Sequence, residues 1–247
     1  MLWPLRGSLS PLGMAAGVAF LPASIAGLQL WLDASDATTL FQNTALTIPA
    51  VVDTDPIGGW KDKSGNLRHV TQPTDAKRPL LRLAVQNGRN IVRWDAIDNF
   101  LQGSFGVSLS QPFTVLAVAQ ASAVIGNQFM ICNNVSTDTI FGQHSGHRGM
   151  YGSSGLWLDG GISNTAWQVW AVLFNGVVSE FWINGLSDAS GNAGPSAFSG
   201  ITVGNWFGGG DNSWNGDIAE LLLYDTALSA ADRATVETYL NQKWAAY

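Results

Sequence analysis

Glu220 is the only carboxylate in the apolar run 218–224, and this limits the chemistry that run can do. A retaining glycosidase sets a nucleophilic carboxylate and an acid roughly 5 to 5.5 Å apart. On a strand, that requires two positions separated by two residues on one face. The positions two away from Glu220 are Ile218 and Leu222, so no second carboxylate shares its face. The sequence therefore predicts no catalytic residue and no enzyme. Glu220 reads as a buried structural carboxylate, held by backbone or by a tryptophan indole. His144 and His147, in the order His-Ser-Gly-His with Asp138 upstream, come nearest to a metal-ligand set. They lack the i, i+4 helical spacing that makes two imidazoles converge, and no cysteine or further histidine lies near, so a solvated loop without metal is expected. The glycines 208–210 follow Phe207 and precede a strand rather than a helix, which suits a tight loop and not a phosphate cradle. Cys132, inside an apolar run, reads as inert core.

The segment with binding chemistry is residues 205–215, which offers Trp206, Asp211, Asn212, Trp214 and Asn215 on a glycine-rich loop. A flat indole suits the C–H face of a pyranose, and amides and carboxylates suit its hydroxyls. Calcium is a second use of the same loop, through Asp211, Asn212 and carbonyl oxygens. The structural alternative is that Trp206 and Trp214 cap the end of a sandwich.

These residues must be positioned by strands. Five of the seven residues 218–224 are Ile, Ala or Leu, which predicts a strand buried on both faces, entered by a turn at Asn215-Gly216. Ser229 is placed to cap a following helix, with Asp232 near its positive end and the helix running to about Trp244. Upstream, Leu28, Leu30 and Leu32 alternate with Gln29 and Trp31. Further strands are predicted at 69–72, 79–85, 90–94, from 100, and at 113–120, 128–133, 139–141, 149–151, 156–158, 167–173, 177–183 and from 202. Asn175-Gly176 is the strongest hairpin signal, of the type that needs positive φ at both positions, with a second turn at Asn184-Gly185 and a loop over 187–198. About a dozen short strands closed by one helix predict an all-β, antiparallel two-sheet jelly-roll sandwich with a C-terminal helix.

Composition sets the remaining bounds. Among 247 residues only 12% are charged, while Gly reaches 28 and Trp 11, against about 25% charged in an ordinary soluble domain. Either a partner covers part of such a surface, or Ser, Thr, Asn and Gln solvate it. A net charge of −6 without a Lys or Arg cluster argues against nucleic acid as partner. One cysteine excludes an internal disulfide.

Residues 1–26 carry one charged side chain, Arg6, and their apolar part superficially matches a signal peptide with Ser24-Ile25-Ala26 as cleavage site. Pro4, Pro11 and Pro22 interrupt it, and it is too short and broken to span a bilayer. The sequence predicts instead an extended N-terminal anchoring arm, 1–26, before a domain 27–247. Leu2, Trp3, Leu5 and Leu12 would touch a neighbouring subunit, the alternative being an arm folded back on its own domain.

Five phrases in order carry a resemblance: Leu30-Trp31-Leu32-Asp33-Ala34-Ser35-Asp36, Trp60-Lys61-Asp62-Lys63-Ser64-Gly65-Asn66, Arg93-Trp94-Asp95 leading to Asn99-Phe100-Leu101, Phe181-Trp182-Ile183-Asn184-Gly185, and Asn215-Gly216-Asp217-Ile218-Ala219-Glu220 with Tyr239-Leu240-Asn241-Gln242-Lys243-Trp244. Together they resemble the laminin-G-like, concanavalin A-like lectin and glucanase superfamily in the form found in bacterial and phage proteins. The resemblance covers 27–247 and implies a jelly roll that carries carbohydrate or protein ligands and sometimes calcium; it does not imply an enzyme. The arm is similar in composition to N-terminal anchors of phage virion proteins. The reading that follows is a non-enzymatic structural or decoration subunit of a phage-like particle, in repeated copies or a homo-oligomer. The arm would anchor it to other virion subunits while the jelly roll meets host surface glycans. The alternative is a free-standing carbohydrate-binding module, secreted or at a cell surface, or, remotely, a glycoside hydrolase.

Overall fold

A computed structural model describes residues 20–136, 138–153, 157–210 and 212–247. Leu2, Trp3, Leu5, Leu12 and Asp211 lie outside the described residues, as does Leu156 of the strand expected over 156–158. In chain order the strands are β1 (Leu28–Asp33), β2 (Leu40–Phe41), β3 (Gly59–Trp60), β4 (Val70–Thr71), β5 (Leu80–Gln86) and β6 (Arg89–Asp95). Next come β7 (Leu101–Leu109), β8 (Phe113–Ala121), β9 (Gln128–Cys132), β10 (Ile140–His144), β11 (His147–Tyr151) and β12 (Leu158–Ile162). The last are β13 (Gln168–Phe174), β14 (Ser179–Ile183), β15 (Leu186–Gly191), β16 (Phe198–Val203) and β17 (Asn215–Tyr224), before helix α1 (Ala230–Trp244).

They form two antiparallel sheets. Sheet I runs β15-β14-β13-β8-β17-β6-β5, and sheet II runs β12-β11-β10-β9-β16-β7-β4-β3-β2. β17 organises sheet I. One edge pairs with β8 along its length, while the other is shared by β6, at 215–218, and β1, at 220–224. A strand paired on both edges and covered on both faces needs apolar residues throughout, and every residue from Gly216 to Tyr224 is buried. Ile218, Leu221 and Leu223 face the core between the sheets; Ala219, Leu222 and Tyr224 face outward under α1. The jelly-roll sandwich expected from the strand pattern is the fold observed.

The helix starts where its cap was expected. Ser229 Oγ accepts from the Asp232 amide at 3.1 Å, and Val236, Leu240 and Trp244 are fully buried against sheet I. Burying each such side chain stabilises by about 1.5–3 kcal/mol. The chain enters over the same surface. Pro22 is buried, its carbonyl accepts from Tyr224 Oη at 3.1 Å, and Phe20 meets Tyr239 edge-on at 5.6 Å. Residues 20–26 therefore rest on their own domain.

Four local expectations are corrected. At Asn175 φ is −151°, so Asn175-Gly176 is not a two-residue turn with positive φ at both positions; a 3₁₀ turn at Gly176–Val178 follows, with Ser179 Oγ closing it onto the Gly176 carbonyl. The second expected turn, Asn184-Gly185, does have positive φ at both positions, 55° and 79°, and joins β14 to β15. β15 occupies part of the expected loop 187–198: as a sheet-edge strand with no buried residue, it needs no apolar alternation. Asn215-Gly216 is strand, not turn, because Gly216 lies where a Cβ would collide with the Gln120 carbonyl of β8. The expected strand 156–158 proves to run later, as Leu158–Ile162.

Candidate functional site

The His-Ser-Gly-His segment is a hairpin tip, not a loop. Ser145 and Gly146, at φ 51° and 83°, form the turn, and His144 stands directly opposite His147 at the ends of β10 and β11. Side chains of opposed residues leave a sheet on the same face. On the outer face of sheet II this gathers Ile140 with Tyr151 and Gly142 with Gly149. A Cβ at Gly149 would press on Trp157 and His144, so the glycine makes room for the indole to lie on the sheet.

Trp157 is the hub of the aromatic array that results. His144 stacks on it at 4.2 Å between ring centres and 5° between planes. Tyr151 lies at 5.4 Å and Phe129 at 5.5 Å. Phe129 in turn meets Trp206 at 5.7 Å. His144 Nδ1 is held by Asp159 at 2.9 and 3.1 Å, which fixes the imidazole plane, and Asp159 is itself exposed. Trp157, Trp206, Tyr151 and His144 are each half-buried. The array thus offers flat apolar rings beside a carboxylate and an imidazole, the pairing that suits a sugar.

The loop 205–215 is spread across four environments. Trp206 joins the array through Phe129, whose amide donates to the Asn212 carbonyl at 2.9 Å. Asn212 borders a shallow depression beside Asn127 and Gln128. Trp214 is fully buried among the core residues between the sheets, so it offers no surface to a ligand. Asn215 faces a separate cleft at the rim of sheet I. The sequence reading found Trp206 but missed Trp157, Phe129, Tyr151, His144 and Asp159. The signal was the Ser-Gly turn between two histidines, which sets their strands in register.

Glu220 is fully buried on the other side of the molecule. Its Oε1 accepts from the Trp31 indole at 2.7 Å and from Tyr239 Oη at 2.9 Å; its Oε2 accepts from the Trp244 indole at 2.6 Å and pairs with Lys243 at 2.7 Å. Burial, with repulsion from Asp33, pushes its carboxyl above the ordinary glutamate value, against Lys243 and Trp244. Asp33 is held below its ordinary value although burial opposes this, because Lys243 and Lys63 both lie at 2.8 Å. With every lone pair engaged under α1, Glu220 has a structural setting. Burial also pushes the Cys132 thiol up to about 12, which leaves little thiolate at neutral pH. Among the described residues no group of three His, Cys, Asp or Glu side chains is arranged to hold a metal ion, and no helix is long and apolar enough to cross a membrane.

A family model described as the concanavalin A-like lectin/glucanases superfamily matches residues 108–232. Among solved structures, this chain is similar to Trypanosoma rangeli sialidase in complex with sialic acid, with a TM-score of 0.61 at 12% identity, over 91% of this chain and 35% of the sialidase. It is also similar to the binding domain of Paraclostridial Mosquitocidal Protein 1, with a TM-score of 0.55 at 15% identity, over 87% of this chain and 53% of that one. The chain spans about a third of the sialidase's length. Likeness at these identities is likeness of fold. No curated protein sequence matches.

Proposed function

The chain belongs to the concanavalin A-like lectin/glucanases superfamily, and from that premise we propose that it is a non-enzymatic glycan-binding module whose ligand lies on the outer face of sheet II. The observation that carries this reading is the ring array of Trp206, Phe129, Trp157, Tyr151 and His144, flanked by the exposed carboxylate of Asp159. A pyranose stacked on the half-buried rings of Trp157, Trp206 and Tyr151, which the buried Phe129 supports from beneath, covers its C–H face, while Asp159 and His144 address its hydroxyls. The burial of Glu220 under α1, where two indoles capture it and Lys243 ties it to the neighbouring Asp33, supports a module without hydrolytic chemistry.

The test is a glycan array followed by calorimetric titration of the best ligand. Trp157→Ala and Trp206→Ala are each expected to weaken binding by at least about tenfold, or about 1.4 kcal/mol, with the fold intact by circular dichroism. Full affinity in both variants rejects this face as the site.

The same proposal sets the module in an assembly, as a displayed subunit of a phage-like particle anchored through the leader. Support comes from the apolar side chains Leu2, Trp3, Leu5 and Leu12 and from the charge-poor composition. Because Phe20 and Pro22 pack on the domain, the deletion that tests anchoring is 1–19. Loss of incorporation into particles with an unchanged melting temperature supports it, and unchanged incorporation refutes it.

A further inference from the structure

Helix α1 covers the outer face of sheet I over Leu222 and Tyr224 but stops short of the rim where β6 ends. There a cleft of 570 Å³ opens, walled by Arg78, Arg93, Asp95, Asn99, Ser122 and Asn215 among others. Asp95 and Asn215 are directly opposed in β6 and β17, so their side chains leave on the same face. Asp95 Oδ1 caps the turn by accepting from the Ile97 amide at 2.9 Å. Its second oxygen, the Asn215 amide and the Ser122 hydroxyl make no side-chain hydrogen bond to a described residue.

Asn99 is the informative member. It is only 4% exposed, yet its side-chain amide is likewise left without a protein partner among the described residues. Its polar atoms are not enclosed in the core but open into the cleft, so the amide, with its donors and acceptor unspent on protein, is completed by what occupies the cleft.

The two guanidinium charges of the cleft are already answered. Arg93 makes a two-pronged pair with Asp217 at 2.6 and 2.7 Å, and Asp217 is 1% exposed. Arg78 pairs with Asp75 at 2.5 Å and donates to the carbonyls of Gln72 and Pro73 at 2.9 and 3.1 Å. At Arg93 an anionic ligand would have to displace the buried Asp217 carboxylate, stranding that charge; at Arg78 it would compete with the exposed Asp75, and it would meet like charge from Asp95. A neutral ligand with adjacent hydroxyls needs no such exchange.

From this geometry we propose that the rim cleft is a second binding site, separate from the ring array, that takes one neutral polyhydroxylated unit such as an uncharged sugar residue. Asp95 accepts from one hydroxyl, Asn99 and Asn215 each donate to and accept from its neighbours, and Ser122 closes the edge. With no exposed aromatic in its wall, the cleft recognises through hydrogen bonds. It is therefore selective for hydroxyl stereochemistry rather than for a stacking face.

The experiment is a protein-observed NMR titration of the full chain with galactose, glucose, mannose, N-acetylglucosamine and N-acetylneuraminic acid in turn, reading the side-chain amide signals of Asn99 and Asn215. At least one neutral sugar is expected to shift both signals saturably and more tightly than the anionic sugar. Asn215→Ala and Asp95→Asn are each expected to weaken that sugar by at least about tenfold, while Trp157→Ala leaves the shifts in place. The proposal is overturned if no neutral sugar saturates, if the anionic sugar binds best, or if Trp157→Ala abolishes the shifts. Since the ring array is scored by Trp157→Ala and the cleft by Asn215→Ala, each site can fail without the other.

Discussion

Trp244 donates its indole hydrogen to Glu220 Oε2 at 2.6 Å, which ties the last turn of α1 to the middle of sheet I. The Trp31 indole reaches the other oxygen of the same carboxylate from β1 at 2.7 Å. Glu220 thus pins helix, central strand and first strand at one buried point, with Lys243 shared between it and Asp33. Removing one member of a buried charged network strands the others and costs about 3–5 kcal/mol. Glu220→Ala is expected to lose stability on that scale in urea titration. A loss within the range of a surface substitution would show that the indoles and Lys243 find other partners.

The pH dependence of this network has two opposing parts. Asp33 titrates below its ordinary value, so its contribution is present above the unfolded value of about 3.9 and is lost as pH falls through the folded one. Glu220 titrates above its ordinary value. Its protonated form is favoured in the folded state, so stability declines as pH rises from about 4.3 through the folded value. Urea midpoints across pH 3 to 8 should show Asp33→Asn flattening the acid limb, and Glu220→Gln removing the decline above it. Superimposable profiles in all three proteins would refute both directions.

The architecture was legible wherever local pattern and tertiary role agree. β17 announces itself because a strand covered on both faces must be apolar throughout, and α1 because Ser229 has one use. Asn175-Gly176 misled because Ser179 Oγ and the Gly176 carbonyl close a 3₁₀ turn there, a choice made by a residue three places beyond the signal. β15 was invisible because an edge strand of Ser, Asp, Ala and Gly looks like a loop until its partner β14 is known. The ring array draws Phe129, His144, Tyr151, Trp157 and Trp206 from separate elements, so nothing local joins them.

Gly204 gives a test of close packing. Its φ is +84°, and a Cβ there would run into the Trp94 indole. Left-handed backbone costs a non-glycine residue roughly 1–2 kcal/mol, and overpacking a core adds typically 1–3. Gly204→Ala is expected to lower the melting temperature markedly, and to recover part of the loss when combined with Trp94→Phe, which removes the obstructing indole nitrogen. No recovery in the double variant would assign the whole cost to backbone strain.

Trp206 and Trp214 lie in one loop and have the same chemistry, yet they differ in what they touch. Trp214 has no exposed surface and belongs to the core cluster between the sheets, whereas Trp206 is half-buried against Phe129 on the outer face of sheet II. Truncating a fully buried tryptophan leaves a cavity that costs about 3–5 kcal/mol. Truncating the half-buried one forfeits part of its burial and one ring contact, about 0.5–1.5 kcal/mol beyond area for the pair. Trp214→Ala should therefore be strongly destabilised, while Trp206→Ala should keep most of its stability and lose glycan affinity. The two effects are separable because Trp214→Phe, which refills much of the cavity, should restore stability and bind glycan as the parent does. A Trp206→Ala protein that melts as low as Trp214→Ala would show that the loop, and not the core, decides the stability of this end of the sandwich.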